Sequence, residues 1–319
     1  MGLAKEVTRG TAVSTAAFWT PWNDLTLDEK KEFATDEQSY GIIEDSVNLT
    51  QIKKWSQGSI QGNVQDQSSG LLFYSMFGGY AHALHSGETT VYDHTFTVGE
   101  SAQHQSLTFF LHDPLSAADY SYANGVVEKL EINMALKKFI DFNATVKALS
   151  GASQSTFTPS TTAENRFVPQ YLTAKFAATY AGIGSGTTVA LKSAKVTINA
   201  NVEDQDVLGS TSPADFLNKE FTVDGTFEAI WKNEVDFKTA FMGPTPQAMR
   251  LDIKNTDVTL GTSTNPELIL DFAKVTFQEL GRPFKVKDLV YQTMKFKAVY
   301  STTDTLMMKA TLTNAVTTY

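Results

Sequence analysis

Apolar side chains return at every second residue in segment after segment of this 319-residue chain. Successive side chains of a β-strand point to opposite faces, so such alternation reads as strand with one face buried. Ser59-Ile60-Gln61-Gly62-Asn63-Val64 has the pattern, as do Ser106 to Leu111, Lys129 to Met134 and Asp141 to Val146. Later come Lys195 to Asn199, Phe221 to Val223, Arg250 to Ile253, Lys274 to Phe277 and Lys295 to Val299. β-Branched and aromatic residues supply most apolar positions, and both pack well on a pleated surface.

Helix signals are few. Ser68 to Phe77 carries a capping serine, apolar Leu71-Leu72-Phe73 and Met76-Phe77, and a stop at Gly78-Gly79. Glu234 to Phe241 is a second candidate, ended by Gly243-Pro244, and Leu27 to Phe33 is a short third. Thr26 and Glu29 make a capping box for that third helix. The small, polar stretch 150–165 reads as a linker or long loop.

The two halves match in order. Ile60-Gln61-Gly62-Asn63-Val64 aligns with Val223-Asp224-Gly225-Thr226-Phe227, and helix Leu71 to Gly78 with Val235 to Gly243. Ser106 to Asp113 aligns with Ala248 to Asn255, and Phe139 to Ala148 with Leu289 to Ala298. Each half reads strand, helix, strand, strand, strand. A unit presented twice suits closed symmetric assembly.

Several chemistries lose their material at the level of composition. With no cysteine there are no disulfides, thiolate metal sites or cysteine nucleophile. The first eighteen residues lack the apolar core of a signal peptide, and no run of eighteen apolar residues occurs, so no membrane span is expected. The Asn48-Leu49-Thr50 sequon then reads as a chance match. Net charge is −9, concentrated in residues 1–160, which hold 10 Lys/Arg against 18 Asp/Glu. An acidic balance argues against gripping nucleic acid.

No catalytic, cofactor-binding or metal-ligating residue is assigned. His82, His85, His94, His104 and His112 cluster within one stretch, but glycines break the helix that His82 and His85 need to share a face. They read as loop and hairpin residues at a subunit contact. Asp204 and Asp206, and adjacent Glu44 and Asp45, read as solvated surface. Gly182-Ile183-Gly184-Ser185-Gly186 lacks the Lys-Ser/Thr of a phosphate loop and reads as a turn. Phe18, Trp19 and Trp22 around Pro21 precede an acidic stretch, Asp24 to Glu37. That segment either caps the first half or docks on a neighbouring subunit.

In this order the residues resemble a known family. Ile60-Gln61-Gly62, a helix, Gly78-Gly79, Tyr92 to Phe96, Ser106 to Phe109, Tyr122-Ala123-Asn124-Gly125-Val126-Val127, Glu128 to Ile132 and Asp141 to Ala148 resemble the tail tube proteins of siphophages, as does Thr313-Asn314-Ala315 to Tyr319. The likeness covers about 40–150 and 190–319.

The resemblance implies a mainly β fold with few helices: two tandem tube-type β-sandwich or half-barrel domains, each with a flanking helix. Residues 1–155, with an N-terminal arm, make the first and 156–319 the second. It implies a virion component assembled in the host cytoplasm, not an enzyme. Trimeric rings of pseudo-sixfold symmetry stack into a hollow conduit for genome ejection. Tape measure, terminator and distal tail proteins are the other implied partners. DNA passes through the lumen without specific binding, and no membrane or cofactor is involved. Strands near 129–148 and 270–299 are expected to line the lumen, with Glu128, Asn133, Asn143, Thr276 and Gln278 facing inward or toward a neighbour. A β-rich baseplate or adhesin module is the alternative, distinguished by a concave ligand pocket.

Overall fold

A computed structural model describes residues 1–44, 48–113, 115, 119–154, 157–230, 237–243, 245–282 and 290–319. The chain is mainly antiparallel sheet, as the alternation requires. Its first half contains β1 (Gly2–Lys5), β2 (Phe18–Trp19), β3 (Asp24–Thr35), β4 (Leu49–Asn63), α1 (Ser69–Phe77), β5 (Gly78–Leu84), β6 (Tyr92–Val98), β7 (Leu107–Leu111), β8 (Asp119–Ala135), β9 (Asp141–Ala148) and β10 (Ala152–Gln154). The second contains β11 (Leu172–Ala177), β12 (Thr187–Val189), β13 (Leu191–Asn199), β14 (Val202–Gln205), β15 (Asp215–Asn218), β16 (Thr222–Ile230), α2 (Phe237–Met242), β17 (Gln247–Lys254), β18 (Glu267–Gly281), β19 (Tyr291–Ala298) and β20 (Met308–Asn314).

The pairing of the first half recurs in the second. β3–β4–β9–β8 corresponds to β13–β16–β19–β18, β2–β1–β7–β8 to β12–β11–β17–β18, and β10–β8 to β20–β18. Two of the irregularities repeat as well. β7 and β8 slip between Leu107 and Phe109, β17 and β18 between Gln247 and Met249. β8 and β9 slip at Glu128, β18 and β19 at Gln278. A bulge bends its strand, so β8 and β18 turn from an outer layer into an inner one. The β5–β6 hairpin has no counterpart between α2 and β17, and it pairs with β20 across the halves.

The structure shifts the repeat in register. Gly58 opposite Val146 corresponds to Gly225 opposite Phe296, so Gly58 and not Gly62 is the partner of Gly225. Both glycines are needed for space: a Cβ would lie 1.9 Å from the Thr26 carbonyl oxygen at Gly58, and 2.3 Å from the Phe296 ring at Gly225. Leu107 likewise corresponds to Gln247, not to Met249. The correspondence of the strand ending at Ala148 with the one ending at Ala298 holds as read. Alternation of period two looks alike after any shift of two or four residues, which is how the misalignment arose.

The expected helix over Leu27 to Phe33 is strand. β3 pairs with β4 from Asp24 opposite Gln61 to Thr35 opposite Leu49. The Thr26 hydroxyl accepts the Ser59 amide instead of capping a helix. A local capping signal is worth about 1 kcal/mol, less than a ladder of this length.

Helix α1 forms where expected but is capped from elsewhere. Glu164, in the stretch read as linker, accepts the amides of Ser68 (2.7 Å) and Gln67 (3.3 Å). The helix is buried on nearly every side, with Met76 and Phe77 wholly inaccessible. Gly78 ends it at φ +78°. Within the described residues α2 starts at Phe237 and stops before Gly243; the expected start at Glu234, and Pro244, lie outside them. Stretch 150–165 is more ordered than a linker. It holds β10, and Asn165 bonds Asp66 through both its backbone and side-chain nitrogens.

Candidate assembly surfaces

The inner layer is one antiparallel sheet crossing both halves, in the order β3–β4–β9–β8–β13–β16–β19–β18. Its middle is the junction of the halves, where β13 pairs β8 from Ser193 opposite Ala135 to Asn199 opposite Lys129. One face is the core: Ile60, Ala144, Leu130, Ile132, Val196, Phe227 and Phe296 are buried. The other face is polar. One row across it reads Gln61, Asn143, Glu131, Thr197, Asp224, Lys297 and Thr276. The next reads Asn63, Asp141, Asn133, Lys195, Thr226, Lys295 and Glu279.

Asn133, Asn143 and Thr276 thus stand on the polar face, while Glu128 and Gln278 occupy the two bulges. Strands β3, β4, β13 and β16 belong to the same face and were not among those expected to line a lumen. Their signal was the repeat itself: β4 pairs with β9, β13 with β8 and β16 with β19, and β3 is the counterpart of β13.

Charges of both signs stand on this face, and several are paired. Lys129 reaches Glu131 at 2.6 Å and Lys195 reaches it at 2.9 Å. Burial works to raise the Glu131 pKa, and the two ammonium groups outweigh it, so the carboxyl sits below its usual range. Lys295 pairs with Glu279 at 3.4 Å. At the rim, Lys53 and Lys147 hold Asp204, and Lys53 holds Asp206 as well. Asp204, read as solvated surface, is therefore an anchor that ties β4 and β9 to β14, while Asp206 is exposed as read. A phosphate backbone meeting this face finds Lys129, Lys195 and Lys295 already paired.

Two edges of the inner sheet have no strand beside them among the described residues: the outer side of β3, and the side of β18 from Thr276 to Gly281 that faces away from β19. Unpaired backbone groups on such edges invite pairing with another chain.

Beyond Ser56, where β9 ends, β3 and β4 continue as a two-stranded hairpin arm, held at its base by Lys53 and by the Lys54 amide on the Thr211 carbonyl. Its outer part exposes Phe33, Tyr40, Ile42, Ile43, Leu49 and Ile52 together with acidic Glu32, Asp36, Glu37 and Glu44. Asp45 lies outside the described residues. Apolar exposure on this scale marks an interaction site. At the opposite end of the same strands, Asn63 pairs with Asp141 beside a groove lined by Leu136, Lys137, Phe139, Val168 and Pro169. Arm and groove are thus apolar at both ends of the sheet, with opposite charge.

Phe18 and Trp19 cap the first half: they form β2, Phe18 lies 5.9 Å from the Tyr319 ring, and Trp19 packs on Phe110 and Phe157. Trp22 is about half exposed at 49%. The histidines serve structure. His94 bridges the Tyr80 hydroxyl to Asn314 and the Val316 carbonyl, and burial lowers its pKa. His104 spans the Met76 and Gly99 carbonyls, and His85 and His112 face Asp93 and Asp119. His82 stacks on Tyr80. Among the described residues no three His, Cys, Asp or Glu side chains group as metal ligands. The Gly182–Gly186 turn is a 3₁₀ helix, Tyr180–Ser185, leading into β12.

A family model described as phage tail tube protein matches residues 1–305. No curated protein matches the chain.

Proposed function

This chain belongs to the phage tail tube protein family, and from that premise we propose that three copies close into a ring whose bore is lined by the inner sheet, and that rings stack into the tail's conduit. The chain is a structural subunit of the virion tail that assembles with copies of itself and with other tail proteins.

The observation that carries the ring reading is the continuous inner sheet, polar on one face and open at both edges. Edge-to-edge closure removes those edges, as in any barrel. Two tube domains, 1–155 and 156–319, each contributing four strands, give a three-chain ring pseudo-sixfold symmetry. The arm supports stacking: its acidic, apolar tip fits the Lys137 and Phe139 groove at the far end of a copy in the next ring. A head-to-tail contact of this kind does not close and so builds a filament.

In this reading the tube is of the long, non-contractile siphophage type and assembles in the host cytoplasm. The ring meets a tape measure protein in its bore, with terminator and distal tail proteins at the ends. DNA carries one negative charge per about 1.7 Å of axis, and a wall of paired charges lets it slide during ejection.

Size-exclusion chromatography and negative-stain microscopy of the purified chain test this. Hollow rods of uniform diameter, with end-on views of threefold symmetry, are expected. A compact monomer that persists at high concentration would overturn the reading and favour a baseplate or adhesin module.

A further inference from the structure

The junction between the halves shows how an open edge of this sheet is joined. There β13 lies antiparallel to the C-terminal half of β8, with Val196 opposite Ile132, Ile198 opposite Leu130 and Asn199 opposite Lys129. In the repeat, β3 corresponds to β13. Thr26 opposite Ser59 matches Lys195 opposite Thr226, and Leu27 opposite Gly58 matches Val196 opposite Gly225. Lys30 is therefore the counterpart of Asn199. β18 corresponds to β8: Val127 opposite Val146 matches Phe277 opposite Phe296, each followed by a one-residue bulge. Glu279 is therefore the counterpart of Lys129, and Leu280 of Leu130.

We propose that β3 of one chain pairs antiparallel with the C-terminal end of β18 in the next copy, with Lys30 opposite Glu279, Glu29 opposite Leu280, Asp28 opposite Gly281 and Leu27 opposite Arg282. This rests on the ring reading above and adds the residues that meet.

Burial supports the register. At the internal junction Val196, Ile198 and Leu130 are fully covered, whereas Leu27 and Leu280, standing at the matching places on the open edges, are only partly buried. Pairing the edges covers both. Charge supports it too. Lys30 and Glu279 carry opposite signs and project from the polar face, where each already has a partner on its own chain: Asp28 at 3.2 Å and Lys295 at 3.4 Å. Set opposite each other, they place Glu279 between Lys295 of its own chain and Lys30 of the next. Directly opposed unlike charges stabilise an antiparallel pair, and like charges oppose it. One departure has a local cause: Glu29 stands where Ile198 stands, and its carboxylate is used by the Gly151 amide (2.7 Å) and the Ser56 hydroxyl (3.1 Å).

The chain has no cysteine, which makes a disulfide test clean. K30C/E279C is prepared in the full chain and oxidised after assembly. N199C/K129C, the matching pair inside one chain, serves as the geometric control, since facing strand positions lie within disulfide reach. The proposal expects intermolecular dimers and trimers, ending at three chains, on a non-reducing gel, while the control closes within a monomer. Rods without intermolecular bonds, alongside an oxidised control, overturn the register and leave the tube reading standing. Unsubstituted chain that forms no rods overturns both, and a ladder running beyond three overturns three-chain closure. K30E is expected to raise the concentration needed for assembly by roughly fivefold per seam, and K30E/E279K to restore it. Failure of the double reversal to restore assembly counts against the pairing.

Discussion

Glu88 joins the two halves with one carboxylate. It accepts the amides of Thr262 (2.8 Å) and Ser263 (2.9 Å) and the hydroxyl of Thr264 (2.9 Å), and these bonds hold its pKa down to about 2. A carboxyl with a depressed folded pKa stabilises the fold above its unfolded value of about 4.5, and that stability disappears as pH falls through about 2. E88Q is therefore expected to lower the urea midpoint at pH 7 and at pH 5, with the difference from the parent shrinking below pH 4.5. A deficit constant down to pH 2 would show that the charge is not what matters. None of this was legible in the sequence, because Glu88 and Thr262 meet only through the fold. By contrast the sequence aligned Gly225 with a glycine of the first half, though with Gly62 in place of Gly58.

The hairpin arm is the element on which stacking depends in the proposed assembly. Burying one isoleucine contributes about 1.5–3 kcal/mol, so I42S/I43S is expected to raise the concentration for rod formation at least about tenfold. Rings should still form, because the proposed seam residues, Leu27 to Lys30, lie at the base of the arm and not at its tip. Rods at unchanged concentration would place the stacking contact away from the arm. The sequence marked this region as acidic and aromatic but read its base as helix. Thr26 and Glu29 satisfy a helical capping rule three residues apart, and nothing local reports that β4 lies alongside. Helix α1 was legible because its apolar run and Gly78 stop are local signals. Its cap from Glu164 was not, since that residue lies far along the chain.

For the whole molecule, in the proposed assembly, the polar face sets how the tube treats DNA. Added cations there have no acidic partners to spare. Tubes carrying D224K/E228K are expected to retain duplex DNA in a salt-dependent way, with a log–log slope of about −0.9 for each phosphate neutralised. The unsubstituted tube should show little such retention; equal retention by both would remove the sheet from the lumen. That this chain is mainly β, and that one pattern occurs twice, was determined by the sequence alone, because alternation and glycine stops are properties of neighbours. Which glycine matches which, which strand lies beside β3, and which edges stay open were decided only by tertiary structure. A period-two pattern is unchanged by a two-residue slip, so only the bulges and the opposing strand distinguish one register from the next.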